Sequence, residues 1–198
     1  FTADVIDFFE TLFGADYPFD EYGSIVLPFS IGFALENQTI SVHGLDSTDS
    51  YTIAHEIMHQ WAGNSITLGD WQDIWMNEGF ATYLAYLYFE DRGLSSDIDP
   101  VGMYAALGGG SIGPAEVPID ELFGLSVYFR GGMALHALRV EVGDEVFGEI
   151  LVTYYDRFAG GDITTDEFLD VVGEIAGPDA VAVLDDWLYG DDLPAFPE

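Results

Sequence analysis

Two histidines four residues apart flank a glutamate in the run His55-Glu56-Ile57-Met58-His59. Residues at that spacing stand on one helix face, about one turn from each other. Both imidazoles can therefore share one metal ion. Glu56, next to the first ligand, points to the side where a water at the metal would sit and can take its proton. By itself the pattern also fits two ordinary surface histidines on a helix. A hydrolytic zinc site wants three protein ligands and one open position. The chain has no cysteine, so the third donor should be a carboxylate. Asn77-Glu78-Gly79-Phe80 supplies one at the predicted start of the next helix, after a span long enough for a helix to end and a second to pack alongside. His55, His59 and Glu78 together read as the ligands of one Zn2+ ion.

The elements that must position these residues follow from periodicity. Val5, Ile6, Phe8, Phe9 and Leu12 fall at helical spacing over 3–12, and Gly14 ends that helix. Short strands are predicted at 24–27, 34–36 and 39–42, the last two divided by Asn37-Gln38. A helix over 52–62 carries the histidines and is stopped by Gly63-Asn64. A second runs from Asn77 to Gly93, with Asn77 where an N-cap would stand. Residues 95–118 read as loop, with a short helix around Met103. Further helices are predicted over 129–142, over 145–158, after the capping box Thr164-Thr165-Asp166-Glu167, and from Pro178 to Leu188. The class is α+β, one domain over 1–198: a β-containing part over 1–50 and a helical part with the zinc site over 51–198.

Composition bounds the partners. Of 198 residues, 36 are acidic and four are basic (Arg92, Arg130, Arg139 and Arg157), giving a net charge of -32. Such a surface repels nucleic-acid phosphates and anionic lipids. The charge reads as a solvated face and resembles proteins of salt-loving organisms, where cations screen the repulsion. Aromatic residues at 15% argue against a disordered acidic chain. No segment reads as a signal peptide or membrane span. The expectation is a soluble protein, extracellular or from a high-salt setting, and the opening inside a helix without an initiator Met reads as an excised piece. Oligomeric state is not legible.

The stretch from Tyr51 to Tyr83 resembles the zinc core of the M1 family of metallopeptidases, the aminopeptidase N and leukotriene A4 hydrolase group. The matching words are the run from His55 through Gln60-Trp61-Ala62-Gly63-Asn64, then Asp70-Trp71, then Trp75-Met76-Asn77-Glu78-Gly79-Phe80-Ala81. Phe33-Ala34-Leu35-Glu36-Asn37 resembles the family's Gly-Ala-Met-Glu-Asn exopeptidase motif. Tyr128-Phe129-Arg130-Gly131 resembles its Tyr-x-Lys-Gly word. The resemblance implies a thermolysin-like (gluzincin) fold and a zinc aminopeptidase acting on peptides. It implies Glu56 as general base and later proton donor, and Tyr128 as donor to the oxyanion. It also implies Glu36 as partner of the substrate's α-amino group, with Ala34 and Asn37 beside it in substrate binding and the backbone at Ala34 and Leu35 as an edge strand.

Departures from the family pattern are Phe33 for glycine, Leu35 for methionine and Arg130 for lysine. Family members also carry a β-rich domain before this region and a helical domain after it, which leaves three expectations open: a more open cleft, acceptance of longer peptides, or a fragment separated from those domains. Two competing readings are an endopeptidase of the same family and an inactive zinc-bearing domain that binds peptides. Trp61, Trp71 and Trp75 are expected in packing, Asn64 in a cap, His43 in a loop and His136 in a structural role.

Overall fold

The computed structural model describes residues 1–96 and 98–197. Asp97, inside the predicted loop-rich stretch, and Glu198 lie outside the described residues. Helix α1 (Thr2–Phe13) buries Val5, Phe9 and Phe13 at four-residue intervals, and Gly14, left-handed at φ 63, caps it. Burying each phenylalanine is worth about 1.5–3 kcal/mol. Strands β1 (Gly23–Val26), β2 (Ala34–Leu35) and β3 (Ile40–His43) form the front sheet in the order β1-β3-β2. β1 runs parallel to β3, with Gly23 opposite Ile40, and β2 runs antiparallel to β3, with Leu35 opposite Val42. β2 is therefore an edge strand. The sheet leaves Ile25, Val26, Phe33, Leu35 and Ile40 exposed.

Helix α2 (Ser50–Met58) starts at Asp49, whose carboxylate accepts from the Thr52 amide at 3.0 Å. A short strand β4 (Thr67–Leu68) and a 3-10 turn (Trp71–Asp73) lead into α3 (Trp75–Asp91). α3 is apolar nearly all round, and Met76, Phe80, Ala81, Tyr83 and Leu84 are all buried, which makes it the central helix. Helix α4 (Pro100–Ala106) follows, then a π-helical segment (Ser126–Arg130) running directly into α5 (Gly131–Val142). After α6 (Asp144–Phe158), strand β5 (Asp162–Ile163) pairs in parallel with β4. Helices α7 (Thr165–Ala176) and α8 (Pro178–Leu188) close the body. The capping box at α7 forms: the Glu167 carboxylate accepts from the Thr164 amide at 2.9 Å, and the Glu167 amide donates to Thr164 Oγ1.

Gly79 in α3 fixes how closely the body packs. A Cβ there would stand 2.8 Å from the carbonyl carbon of Gly131, so only a glycine pair lets α3 cross the start of α5 at this distance. The residues next to this contact are Glu78 and Arg130.

Several expectations are corrected. α2 ends at Met58, not Ala62. The amides of Gln60 and Trp61 donate to Ile57 and Met58 three residues back, and this tightening buries Trp61 against Phe9 and Phe13. Asn77 is no N-cap: α3 begins at Trp75, and Asp70 caps the preceding turn by accepting from the Gln72 amide. Asn64 caps nothing; its side chain reaches the Glu36 carbonyl. His43 is no loop residue. It closes β3, buried, with Nδ1 donating to the Ser47 carbonyl at 2.8 Å. Trp61 and Trp75 are core residues, whereas Trp71 is 64% exposed. His136 is structural as expected, with Nδ1 accepting from the Tyr83 hydroxyl at 3.1 Å.

Candidate metal centre

α2 presents His55 from its last turn, and His59 follows as the C-terminal cap, still in right-handed helical geometry. The four-residue spacing therefore survives the early end of the helix. α3 presents Glu78 from its first turn. That turn is anchored from behind: Thr165 Oγ1 accepts from Trp75 Nε1 at 2.8 Å and donates to Asp73 Oδ1 at 2.7 Å. The Tyr51 hydroxyl donates to the Thr82 carbonyl at 2.7 Å and ties α2 to α3.

The result is a triangle of donor atoms. His55 Nε2 and His59 Nε2 are 3.2 Å apart. Glu78 Oε2 lies 3.3 Å from the first and 3.4 Å from the second. Tetrahedral zinc with ligands at about 2.0–2.1 Å requires donors about 3.3–3.4 Å from one another. The measured edges match that figure. His59 Nδ1 donates to the Ala62 carbonyl at 3.2 Å, which fixes the tautomer and leaves Nε2 free to ligate. Among the described residues, His55, His59 and Glu78 are the one group of three or more such side chains placed to hold a metal ion.

The electrostatics also call for a cation. Burial alone would lower the His59 imidazole, but the Glu78 carboxylate outweighs it and raises His59 to about 10. Glu78 itself is held well below the usual carboxylate range: burial opposes this, and the two imidazoles prevail. A site that stabilises an added positive charge this strongly suits a divalent ion.

A cavity of about 680 Å³ opens over the triangle. Glu56, Glu36, Tyr128 and Ala34 line it beside the three donors. Glu56 Oε2 is buried with no hydrogen-bond partner among the described residues, and burial pushes its carboxyl up despite the two histidines. The Tyr128 ring stacks 6.1 Å from that of His55. Burial, with the charges of Glu78, Glu36 and Glu56, drives its phenol well above the ordinary value, so it keeps its proton at neutral pH. Ala34 contributes edge-strand backbone. Asn37 stands apart: it is exposed, does not line the cavity, and its carbonyl accepts from the Ile40 amide in the turn between β2 and β3. A second cavity of about 390 Å³, containing Asp70, Trp71 and Asn77, shares Glu36 and Phe123 with the first.

Two contributors were not expected from sequence. Gln60 and Asn64 both donate to the Glu36 carbonyl, at 3.3 Å and 2.6 Å. Gln60 did carry a signal. It is an amide set between the ligand His59 and the apolar Trp61, and buried amides must find partners.

Residues 1–104 match the family model described as Peptidase family M1 domain. The chain is 29% identical to Aminopeptidase 2 of Candida albicans over 97% of its own length and 24% of that protein's. It is likewise 29% identical to Aminopeptidase N of Lactococcus lactis subsp. lactis, over 98% of its own length and 26% of the relative's. The crystal structure of an M1 zinc metallopeptidase from Deinococcus radiodurans superposes with a TM-score of 0.93 at 37% identity, covering 100% of this chain and 45% of that one. A mutant of an M1 zinc metallopeptidase from the same organism, similar at 36% identity, has been solved with a Tyr-Ser-Ala substrate. The chain thus spans about a quarter of the aminopeptidases it matches and under half of the solved chains.

Proposed function

This chain belongs to peptidase family M1, and on that premise we propose that residues 1–198 act as one catalytic unit of a zinc-dependent aminopeptidase. The observation that carries this reading is the triangle of His55, His59 and Glu78 edges, matched to tetrahedral zinc, beneath a cavity that also holds an unpartnered Glu56 oxygen. His55, His59 and Glu78 would hold the zinc, which would supply Lewis acidity, lowering the pKa of water toward about 7 and polarising the scissile carbonyl.

The chain's own groups do the rest. Glu56 takes a proton from the attacking water and returns it to the departing amine. Its raised affinity for a proton, a consequence of burial, suits a group that must hold one between the two steps. Tyr128 donates its phenolic hydrogen to the oxyanion, and its elevated pKa keeps that hydrogen in place. The outer edge of β2 at Ala34 and Leu35 orients the extended peptide. Glu36 accepts from the substrate's α-ammonium group. A fixed counter-charge at one distance from the metal presents the first peptide bond for cleavage.

Hydrolysis of an aminoacyl anilide should disappear with chelator and return with zinc. Glu56→Gln should keep one zinc per chain and lose about 10²–10⁴-fold in turnover; full activity in that variant would end the assignment. A second reading, an endopeptidase of the same family, is favoured by a second cavity beside the first, with Glu36 and Phe123 common to both linings. N-acetylated peptides separate the two, since an aminopeptidase must prefer the free amine.

A further inference from the structure

We propose that Gln60 and Asn64 are positioning residues that set the distance from Glu36 to the metal triangle, and so decide which peptide bond is presented. The inference rests on the aminopeptidase reading and adds to it the device that fixes the register.

Gln60 is fully buried and uses every hydrogen-bonding position of its amide. Nε2 donates to the Glu36 carbonyl at 3.3 Å and, at the outer limit of such a bond, to the Glu56 carbonyl at 3.5 Å. Oε1 accepts from the Thr39 amide at 2.8 Å and from the Tyr17 hydroxyl at 3.4 Å. The partners dictate this orientation, because Thr39 N can only donate and the Glu36 carbonyl can only accept. One side chain thus bridges the backbone of the general base to the backbone of the amine-binding residue. Asn64 adds a shorter bond, Nδ2 to the same Glu36 carbonyl at 2.6 Å. Both amides come from the turn that begins at His59, so the clasp and the second imidazole move as one piece.

An independent sign of external control lies in the next turn. Thr39 has φ 67, and among the described residues it is the one non-glycine residue with positive φ. A β-branched residue in that region is strained and persists only where its surroundings over-determine it. Its amide is held by Gln60, and its carbonyl accepts from the Gly23 amide at 2.8 Å. The β2–β3 turn therefore takes the conformation that the Gln60 amide dictates. Glu36 sits at the end of β2 just before that turn, fixed by the same group.

The test uses the full chain with zinc bound. For wild type, Glu36→Gln, Asn64→Ala and Gln60→Glu, kcat/KM is measured on a free-amine peptide and on its N-acetylated form. Affinities for leucinamide and N-acetyl-leucinamide are measured by calorimetry, with zinc content and melting temperature as controls. Gln60→Glu keeps size and the acceptor for Thr39, but sets a carboxylate against the Glu36 carbonyl. Asn64 lies nearer the surface, and its alanine variant covers the case in which the buried change fails to fold. The expected result is a fall in the free-to-blocked ratio on the order of tenfold to a hundredfold in Asn64→Ala and Gln60→Glu. Leucinamide affinity should fall in parallel at one zinc per chain. A wild-type ratio in a folded Asn64→Ala, with the ratio lost in Glu36→Gln, overturns the clasp and leaves the aminopeptidase reading intact. An unchanged ratio in Glu36→Gln overturns that reading, and the clasp with it.

Discussion

Three carboxylates, Glu36, Glu56 and Glu78, face one cavity, and their surroundings give each a different character. Glu78 is buried against two imidazoles and stays ionised, as a ligand must. Glu56 is buried, with one oxygen unpartnered among the described residues, and burial raises its affinity for a proton, which suits the proposed proton carrier. Glu36 is only half-buried, held through its backbone and not its side chain, which leaves the carboxylate for a substrate. Burial, helped by these three carboxylates, raises the Tyr128 phenol as well. Tyr128→Phe removes that one donor and nothing that binds metal. Its turnover should fall about 10²–10³-fold, with KM changed little and zinc content unchanged. Steady-state kinetics beside elemental analysis would check this, and a variant with near wild-type kcat would remove Tyr128 from the chemistry.

Among the elements, the π-helical segment Ser126–Arg130 is the one most clearly built for position. Arg130 is fully buried and makes no ion pair among the described residues. It donates instead to the backbone carbonyls of Trp187 at 2.7 Å, Tyr189 at 2.9 Å, Asp192 at 3.2 Å, Asp186 at 3.3 Å and, more closely, Ser111. The C-terminal end of α8 and the segment after it present carbonyls that no helical amide reaches, and the guanidinium gathers them, Nε on Trp187 and Nη2 shared among Asp186, Tyr189 and Asp192. Arg130→Lys keeps the charge and loses the fork. Arg130→Met loses both. Urea titration should show a loss of about 1–3 kcal/mol for Met, because the buried Trp187 carbonyl is orphaned while the part-buried carbonyls beside it must turn to water, and a smaller loss for Lys. Turnover should fall more than KM rises, since Tyr128 stands two residues away. The sequence alone made the helices legible where a local rule dictates them. The His55–His59 spacing and the Thr164–Glu167 box are such cases, and both formed. It was blind to β4 and β5, two residues each with no periodicity to detect, which owe their existence to pairing across the body. It placed the start of α3 two residues late because a capping-type residue, Asn77, stands just inside the helix. Gln60 and Asn64 were readable as members of a motif, but their partner Glu36 is brought near only by the tertiary fold.

At the scale of the whole molecule, charge dominates. Arg92, Arg139 and Arg157 are each paired with nearby acids, and Arg130 is enclosed, so the chain's net charge of -32 is carried mostly by acids at the surface. Mutual repulsion among those acids opposes the compact state. Raising salt from about 0.1 M to about 1 M shortens the screening length from roughly 10 Å to roughly 3 Å. If screening recovers about 2 kcal/mol, the melting temperature should climb by roughly 4–8 °C. A scan across sodium chloride at fixed zinc would check it, and a flat or falling curve would contradict the argument. Glu36 carries a last consequence at this scale, because it is common to the linings of both cavities. On the proposed reading its carboxylate would work as a doorstop between two rooms. With it in place a peptide would halt at its first residue, and with it swung aside the rooms would join into one corridor for a longer chain. Trimming from the end and cutting in the middle would then differ by the rotation of a single side chain, on a scaffold otherwise indifferent to the choice.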